Sequence, residues 1–159
     1  MQQIIEGNPK NSKGRRVAIV VSRYNEMITK KLLAGAQEAL KEYGCGPEHQ
    51  TVAWVPGSFE LPLMAQKLAE TGRYQSVICL GAIIRGETYH FEMVAQGAAT
   101  GIQTVALKTG VPVIFGVLTT ENMEQALSRT GVRPANKGWE AALAALEMMD
   151  AVQQAKAPS

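Results

Sequence analysis

Three polar stretches, each holding an aromatic or titratable side chain, are spaced along the chain: Arg23-Tyr24-Asn25, Pro56-Gly57-Ser58-Phe59-Glu60 and Arg85-Gly86-Glu87-Thr88-Tyr89-His90. Flat aromatic rings stack on flat heterocycles, and carboxylates accept hydrogen bonds from polyol hydroxyls. Arginine and the free N–H groups of a helix start bind phosphate. Histidine is the side chain whose charge changes near neutrality, so it can move protons while bonds form and break. Gly86 lets the backbone approach a ligand, and Thr88 can cap a helix or bond a phosphate oxygen. Together these residue types describe an enzyme that joins a ring-bearing, hydroxylated substrate to a small phosphorylated one. A structural reading stands beside this one, because Gly and Thr recur in such loops for turn and cap reasons and a lone His is more often structural. There is no nucleophile elbow, Walker loop or GxGxxG after the first strand. Positioning, desolvation and proton transfer therefore have to supply the catalysis.

Each polar stretch follows an apolar run that reads as a strand. Ser76 to Ile84 is apolar with almost no alternation, which suits a strand covered on both faces of a parallel sheet. From Phe91, apolar positions recur at Val94, Ala95, Ala98, Ile102 and Val105, a helical stripe. Arg16 to Ser22 is the first strand, followed by a helix striped with Ile28, Leu32, Ala36 and Leu40 and stopped by Gly44. Gln50 to Val55 is the second strand, with a helix on Leu61, Met64, Ala65 and Leu68. Val111 to Leu118 reads as the fourth strand, and Thr119 to Asn122 caps a short helix ending near Ser128. A break carrying Arg129, Arg133 and Lys137 leads to a last helix on Trp139, Ala142, Leu146 and Met149. Gly97 and Gly101 share a helix face and permit close backbone approach, read here as a tight helix contact between subunits.

Strands alternating with helices imply right-handed crossovers and an α/β fold. The expected architecture is a three-layer αβα sandwich around a four-stranded parallel sheet of flavodoxin-like order. Residues 1–15 read as an N-terminal arm, with a short strand over Gln3 to Glu6 for a neighbouring subunit and an exposed stretch from Gly7 to Gly14. Residues 16–152 form the domain, and 153–159 a frayed tail. The ligand-bearing loops then converge on the C-terminal edge of the sheet, where open α/β sheets bind ligands.

A chain of 159 residues with 46% hydrophobic and 19% charged residues is an ordinary globular domain. A net charge of +2 without a Lys/Arg block gives no sign of nucleic-acid binding. No apolar run reaches the roughly 18 residues of a membrane span, and the N-terminus lacks a signal-peptide core. The expected location is therefore cytoplasmic. Cys45 and Cys79 form no disulfide framework, no metal spacing is present, and His49 stands among loop residues.

The three loops, with Gly81-Ala82-Ile83-Ile84, Phe115-Gly116-Val117-Leu118-Thr119-Thr120-Glu121-Asn122 and Asn136-Lys137-Gly138, closely resemble the 6,7-dimethyl-8-ribityllumazine synthase family from about Ile4 to Met149. The resemblance implies the penultimate step of riboflavin synthesis. In it, 5-amino-6-(D-ribitylamino)uracil condenses with 3,4-dihydroxy-2-butanone 4-phosphate to give the lumazine, phosphate and water, with no metal or organic cofactor. It implies that Tyr24 stacks on the pyrimidine, that Ser58, Phe59 and Glu60 hold the ribityl side, and that Ala82, Ile83 and Ile84 present backbone groups to the uracil edge. Glu87 and Thr88 would lie at the phosphate, with Arg129 as its main cation and His90 as proton donor; Phe115 and Lys137 complete the site. It further implies a pocket straddling two subunits, with Phe115 and Arg129 supplied by the neighbour, hence a homopentamer. Assembly of twelve pentamers into a sixty-subunit icosahedral shell stays open.

Three positions depart from the family pattern. Tyr24 stands where Phe is usual, so its hydroxyl needs a partner or water. Glu87 replaces a smaller residue and would repel a phosphate unless its side chain turns outward, leaving its N–H as the contact. Arg133-Pro134-Ala135 replaces a more glycine-rich turn. Two other functions are weighed: an idle homologue that stores a flavin or lumazine or builds a shell, and a riboflavin synthase on the same fold. Storage needs no proton donor, and the latter uses no phosphorylated substrate.

Overall fold

A computed structural model describes residues 1–158. Four strands, β1 (Val17–Ser22), β2 (Gln50–Val55), β3 (Ser76–Ile84) and β4 (Val113–Thr120), pair in parallel in the order β2-β1-β3-β4. On one face lie α1 (Glu26–Glu42) and α5 (Lys137–Lys156), and on the other α2 (Leu61–Glu70) and α3 (His90–Thr109). The short α4 (Met123–Ser128) follows β4. This is the three-layer, flavodoxin-like α/β arrangement that the alternating pattern implies. Successive side chains of a strand point to opposite faces. Accordingly Val17, Ile19 and Val21 pack with Leu32, Leu40 and Leu146, while Ala18 and Val20 pack with Leu61, Ala65 and Ile102. Both faces of β1 are buried along its whole length, which is why it lacks polar alternation.

The chain passes from β1 outward to β2 and then back across to β3, so the switch point lies between β1 and β3. The register sharpens that point. Pairing of β1 with β3 stops at Val21 opposite Leu80, whereas β4 accompanies β3 to Ile84 opposite Thr120. Gly81 to Ile84 therefore run past the last β1 partner and carry an open backbone edge. A crevice at the C-terminal ends of strands, at a switch point, is where such sheets take ligands.

Several boundaries differ from expectation. β4 begins at Val113 because Pro112 has no N–H; its carbonyl instead accepts from Val77 N–H and Ser76 Oγ, at 2.9 and 3.2 Å. It continues to Thr120 because β3 supplies partners that far. Residues 1–8 hold no strand, and the stretch from Gly7 to Gly14 is fastened rather than free. Asp150 Oδ2 accepts from Asn8 N–H at 2.8 Å and Asn11 Nδ2 at 3.2 Å, and buried Ser12 donates to the Leu146 carbonyl at 2.9 Å. Helix α5 runs to Lys156, so most of the tail expected to fray is helical; Ser159 lies outside the described residues. Gly97 and Gly101 do permit close approach, but within the chain: a Cβ on them would meet the Phe59 ring and Pro62. No described helix is long and apolar enough to cross a membrane.

Candidate active site

The loop after β1 is pinned to the loop after β2, since Arg23 N–H donates to the Val55 carbonyl at 2.7 Å and Tyr24 N–H to the Pro56 carbonyl at 2.9 Å. Asn25 then adopts the left-handed conformation, φ 61°, which Asn tolerates better than most side-chain-bearing residues. Its Nδ2 donates to the Ala82 carbonyl at 2.8 Å. Asn25 thus bridges the gap left where β3 outruns β1, and one lone pair of the Ala82 carbonyl is already engaged. Tyr24 is 72% exposed beside this bridge.

After β2 the chain forms a 3-10 turn, Ser58–Glu60. Glu60 folds back so that Oε1 accepts from Gly57 N–H at 2.9 Å. Ser58 is buried against Gly81, where a Cβ would stand 2.5 Å from Ser58 Oγ. Phe59 is 60% exposed and leans on Gly97. A groove of about 410 Å³ is lined by Gly57, Ser58, Phe59, Glu60, His90 and Met93. The structure therefore brings together Ser58, Phe59, Glu60 and His90, from two loops separated in sequence. Tyr24 does not line this groove.

The loop after β3 leaves Glu87, Thr88 and His90 exposed. Thr88 Oγ1 accepts the His90 N–H at 3.4 Å, while Tyr89 at the helix N-cap supplies no side-chain cap. First-turn N–H groups of α3 thus face solvent beside His90, a favourable place for an anion. Arg85 points away from that role. Its guanidinium donates to Glu121 at 2.7 Å and to Glu92, and lies 4.4 Å from the centre of the Phe91 ring. The bond to Glu92, then that to Glu121, hold Arg85 above its ordinary pKa, and Arg85 holds the Glu92 carboxyl below its own. Cys79, buried in β3 beneath the site, has its thiol pushed up to about 12 by burial and offers no nucleophile.

Phe115, Arg129 and Lys137 gather elsewhere. With Glu140 and Ala141 they line a second groove of about 340 Å³ beside the edge strand β4, and the two grooves share no lining residue. Arg129 Nη1 donates to the Gln125 carbonyl at 2.8 Å, and Lys137 Nζ pairs with Glu140 at 3.0 Å. Within one chain, Ser58, Phe59, Glu60 and His90 occupy one groove and Phe115, Arg129 and Lys137 the other. Sequence reasoning assigned no role to Asn25 or Gly81. The signal for Asn25 was its residue type in a tight turn; Gly81 offered none, because only the fold shows Ser58 against it.

Known proteins resemble the chain closely. The family model described as 6,7-dimethyl-8-ribityllumazine synthase matches residues 14–153. Two proteins of that name, from Synechococcus elongatus and a second Synechococcus strain, are each 49% identical over 155 residues, covering 95% of this chain and 85% of theirs.

Proposed function

Since the chain belongs to the 6,7-dimethyl-8-ribityllumazine synthase family, we propose that it condenses 5-amino-6-(D-ribitylamino)uracil with 3,4-dihydroxy-2-butanone 4-phosphate. The products are 6,7-dimethyl-8-ribityllumazine, inorganic phosphate and water, and the enzyme is a transferase of riboflavin biosynthesis. The observation that carries the residue roles is the shared groove of Phe59, Glu60 and His90.

In this reading Tyr24 stacks on the pyrimidine, Ser58, Phe59 and the free oxygen of Glu60 hold the ribityl side, and the open edge of Ala82, Ile83 and Ile84 meets the uracil. The 5-amino group attacks the butanone carbonyl, and loss of water gives an imine. The proton on the neighbouring hydroxyl-bearing carbon is removed and phosphate leaves from the next carbon, giving an enol that tautomerises to a new carbonyl. The ribityl-side amine then closes the second ring on that new carbonyl, losing a second water. His90, beside the α3 N-terminus, carries protons in these steps. The departing phosphate is stabilised by first-turn N–H groups near Thr88, by the Glu87 N–H, and by Arg129.

Arg129, Lys137 and Phe115 stand in a separate groove, so they serve the site of a neighbouring copy, and the working unit is a homo-oligomer, a ring of five that can build a larger shell. Residues 1–5 are exposed and available to such a neighbour. The protein works in the cytoplasm.

Purified protein, held without oxygen with both substrates, should release the lumazine, seen by absorbance, together with phosphate. Binding of the pyrimidine without either product would favour the idle storage or shell reading. His90→Ala and Arg129→Ala should each lose most activity alone, and co-assembled they should recover part of it, because some sites then receive both residues. No recovery in verified mixed assemblies would overturn the shared site.

A further inference from the structure

Arg129 and Lys137 stand at the two ends of one turn between α4 and α5. Lys137 N–H donates to the Arg129 carbonyl at 2.9 Å, and Thr130 and Asn136 form an isolated antiparallel bridge just inside that bond. What holds this turn to the rest of the molecule is Asn136, which is 6% exposed. Its Oδ1 accepts from Gly138 N–H at 2.8 Å and Trp139 N–H at 3.1 Å, capping α5, and its Nδ2 donates to the Lys31 carbonyl of α1 at 3.1 Å.

The seat for that amide is cut into α1. A Cβ on Gly35 would collide with Asn136 Oδ1 and stand 2.5 Å from its Cγ, and a Cβ on Gly138 would collide with the Leu32 carbonyl. The backbones of α1 and α5 therefore meet at the residue that separates the two cations. Arg133, at the apex of the turn, adds a looser tie: ion pairs to Glu42 at 2.5 Å and Glu38 at 3.3 Å, and a face on the Trp139 ring at 4.2 Å. Those pairs are half exposed and screened by solvent, whereas a buried amide that loses a partner leaves an orphaned polar group.

We propose that Asn136, seated in the Gly35 notch of α1, is the positioning residue that sets Arg129, with Lys137 beside it, at the place required to grip the phosphate of the butanone substrate. It touches no substrate itself and acts through the two cations. The inference rests on the assignment of Arg129 and Lys137 to the site given above. A long cationic side chain is useful in a site only if its base is fixed, because a small misplacement of a binding group costs much of its effect.

Two variants address the same contact from opposite sides. Asn136→Asp keeps the cap acceptor but sets a carboxylate oxygen against the Lys31 carbonyl. Gly35→Ala leaves Asn136 intact and fills its notch; as an Ala within a helix it favours α1, so a functional loss there is not a loss of helix. For both, KM is measured for each substrate, with inhibition by inorganic phosphate and thermal unfolding alongside. The expected result is a rise of about fivefold to tenfold in butanone-phosphate KM and a matching weakening of phosphate inhibition, the scale of the net contribution of one hydrogen bond. The uracil KM should change less than about twofold, since its groove is separate. An equal rise in both KM values, or none in either variant, would overturn the proposal. Arg129→Ala run in parallel separates the two levels: if it is silent, the assignment of the cations fails, and if it is severe while both test variants are silent, only the positioning role fails.

Discussion

Gly97 of α3 lies directly against the ring of Phe59, so that a Cβ at residue 97 would stand 2.5 Å from Cε1 and 2.9 Å from Cδ1. The ring is the movable partner, being attached to a 3-10 turn and largely exposed. Gly97→Ala should therefore leave stability within about 1 kcal/mol of the parent, because the better helix propensity of Ala offsets the contact. It should also swing Phe59 out of the groove it shares with His90. The expected kinetic signature is a several-fold rise in the KM of the pyrimidine substrate with the butanone-phosphate KM unchanged. An unchanged pyrimidine KM would show that Phe59 makes no contribution from this position.

The same pair shows what a sequence can and cannot convey. The spacing of Gly97 and Gly101 marks a helix face that something approaches closely, and that is correct; spacing carries no information about which element approaches. The β2 and β3 boundaries follow from apolar runs and turn residues and match to the residue. The tethering of the N-terminal stretch was hidden because it depends on Asp150, 142 positions from Asn8, and a polar, Gly-containing segment looks free until its acceptor is known. His90, Phe59 and Glu60 could be picked out as residue types at strand ends. That Lys137 shares a groove with Arg129 and not with His90 is set by the turn that closes Lys137 N–H on the Arg129 carbonyl and by the seat of α5 beside β4, and is invisible in one dimension.

Arg85 is held by two carboxylates, Glu92 and Glu121, on the elements that flank the proposed phosphate site. Replacing it with Met keeps the packing on Phe91 and releases both negative charges next to the α3 N-terminus. The butanone-phosphate KM should rise in Arg85→Met and fall back in part as salt is added, since exposed charges are screened. In the parent enzyme, added salt should weaken phosphate binding instead. If the variant showed no rise, or if its KM climbed further with salt, Arg85 would not be a neutralising residue.

Asp150 fastens the N-terminal stretch and has its carboxyl held below the usual aspartate range, first by the Asn8 N–H and then by the Asn11 and Gln154 amides. A depressed folded-state value means that the ionised carboxylate stabilises the fold at every pH above the unfolded value, near 3.9. That contribution is lost as pH falls through the lower folded value. Asp150→Asn lacks the charge at all pH values. The gap in melting temperature between parent and variant should thus be constant from neutrality to about pH 5 and narrow progressively as pH falls below about 4 toward the lower folded value. A gap that stays open at the acid end would place the latch elsewhere than on this carboxylate.

Two serine hydroxyls crowd the same point of β3 with opposite consequences. A Cβ on Gly81 would meet Ser58 Oγ at 2.5 Å, and Leu61 Cδ1 and Ser22 Oγ at 3.2 Å, on residues that are all buried. Gly81→Ala should cost roughly 1–3 kcal/mol of stability, as overpacking does, and displace Ser58 from the groove. Ser22 Oγ is buried with no hydrogen-bond partner among the described residues, so it bears a desolvation cost without return. Ser22→Ala should be neutral or stabilising by up to about 1 kcal/mol, with turnover unchanged. In the double variant, removal of the hydroxyl at position 22 leaves more space for the new methyl group at position 81, so the combined loss should be smaller than that of Gly81→Ala alone. Chemical denaturation of the three variants decides the matter: a destabilised Ser22→Ala would mean that its hydroxyl is satisfied through an ordered water and belongs to the polar floor of the site.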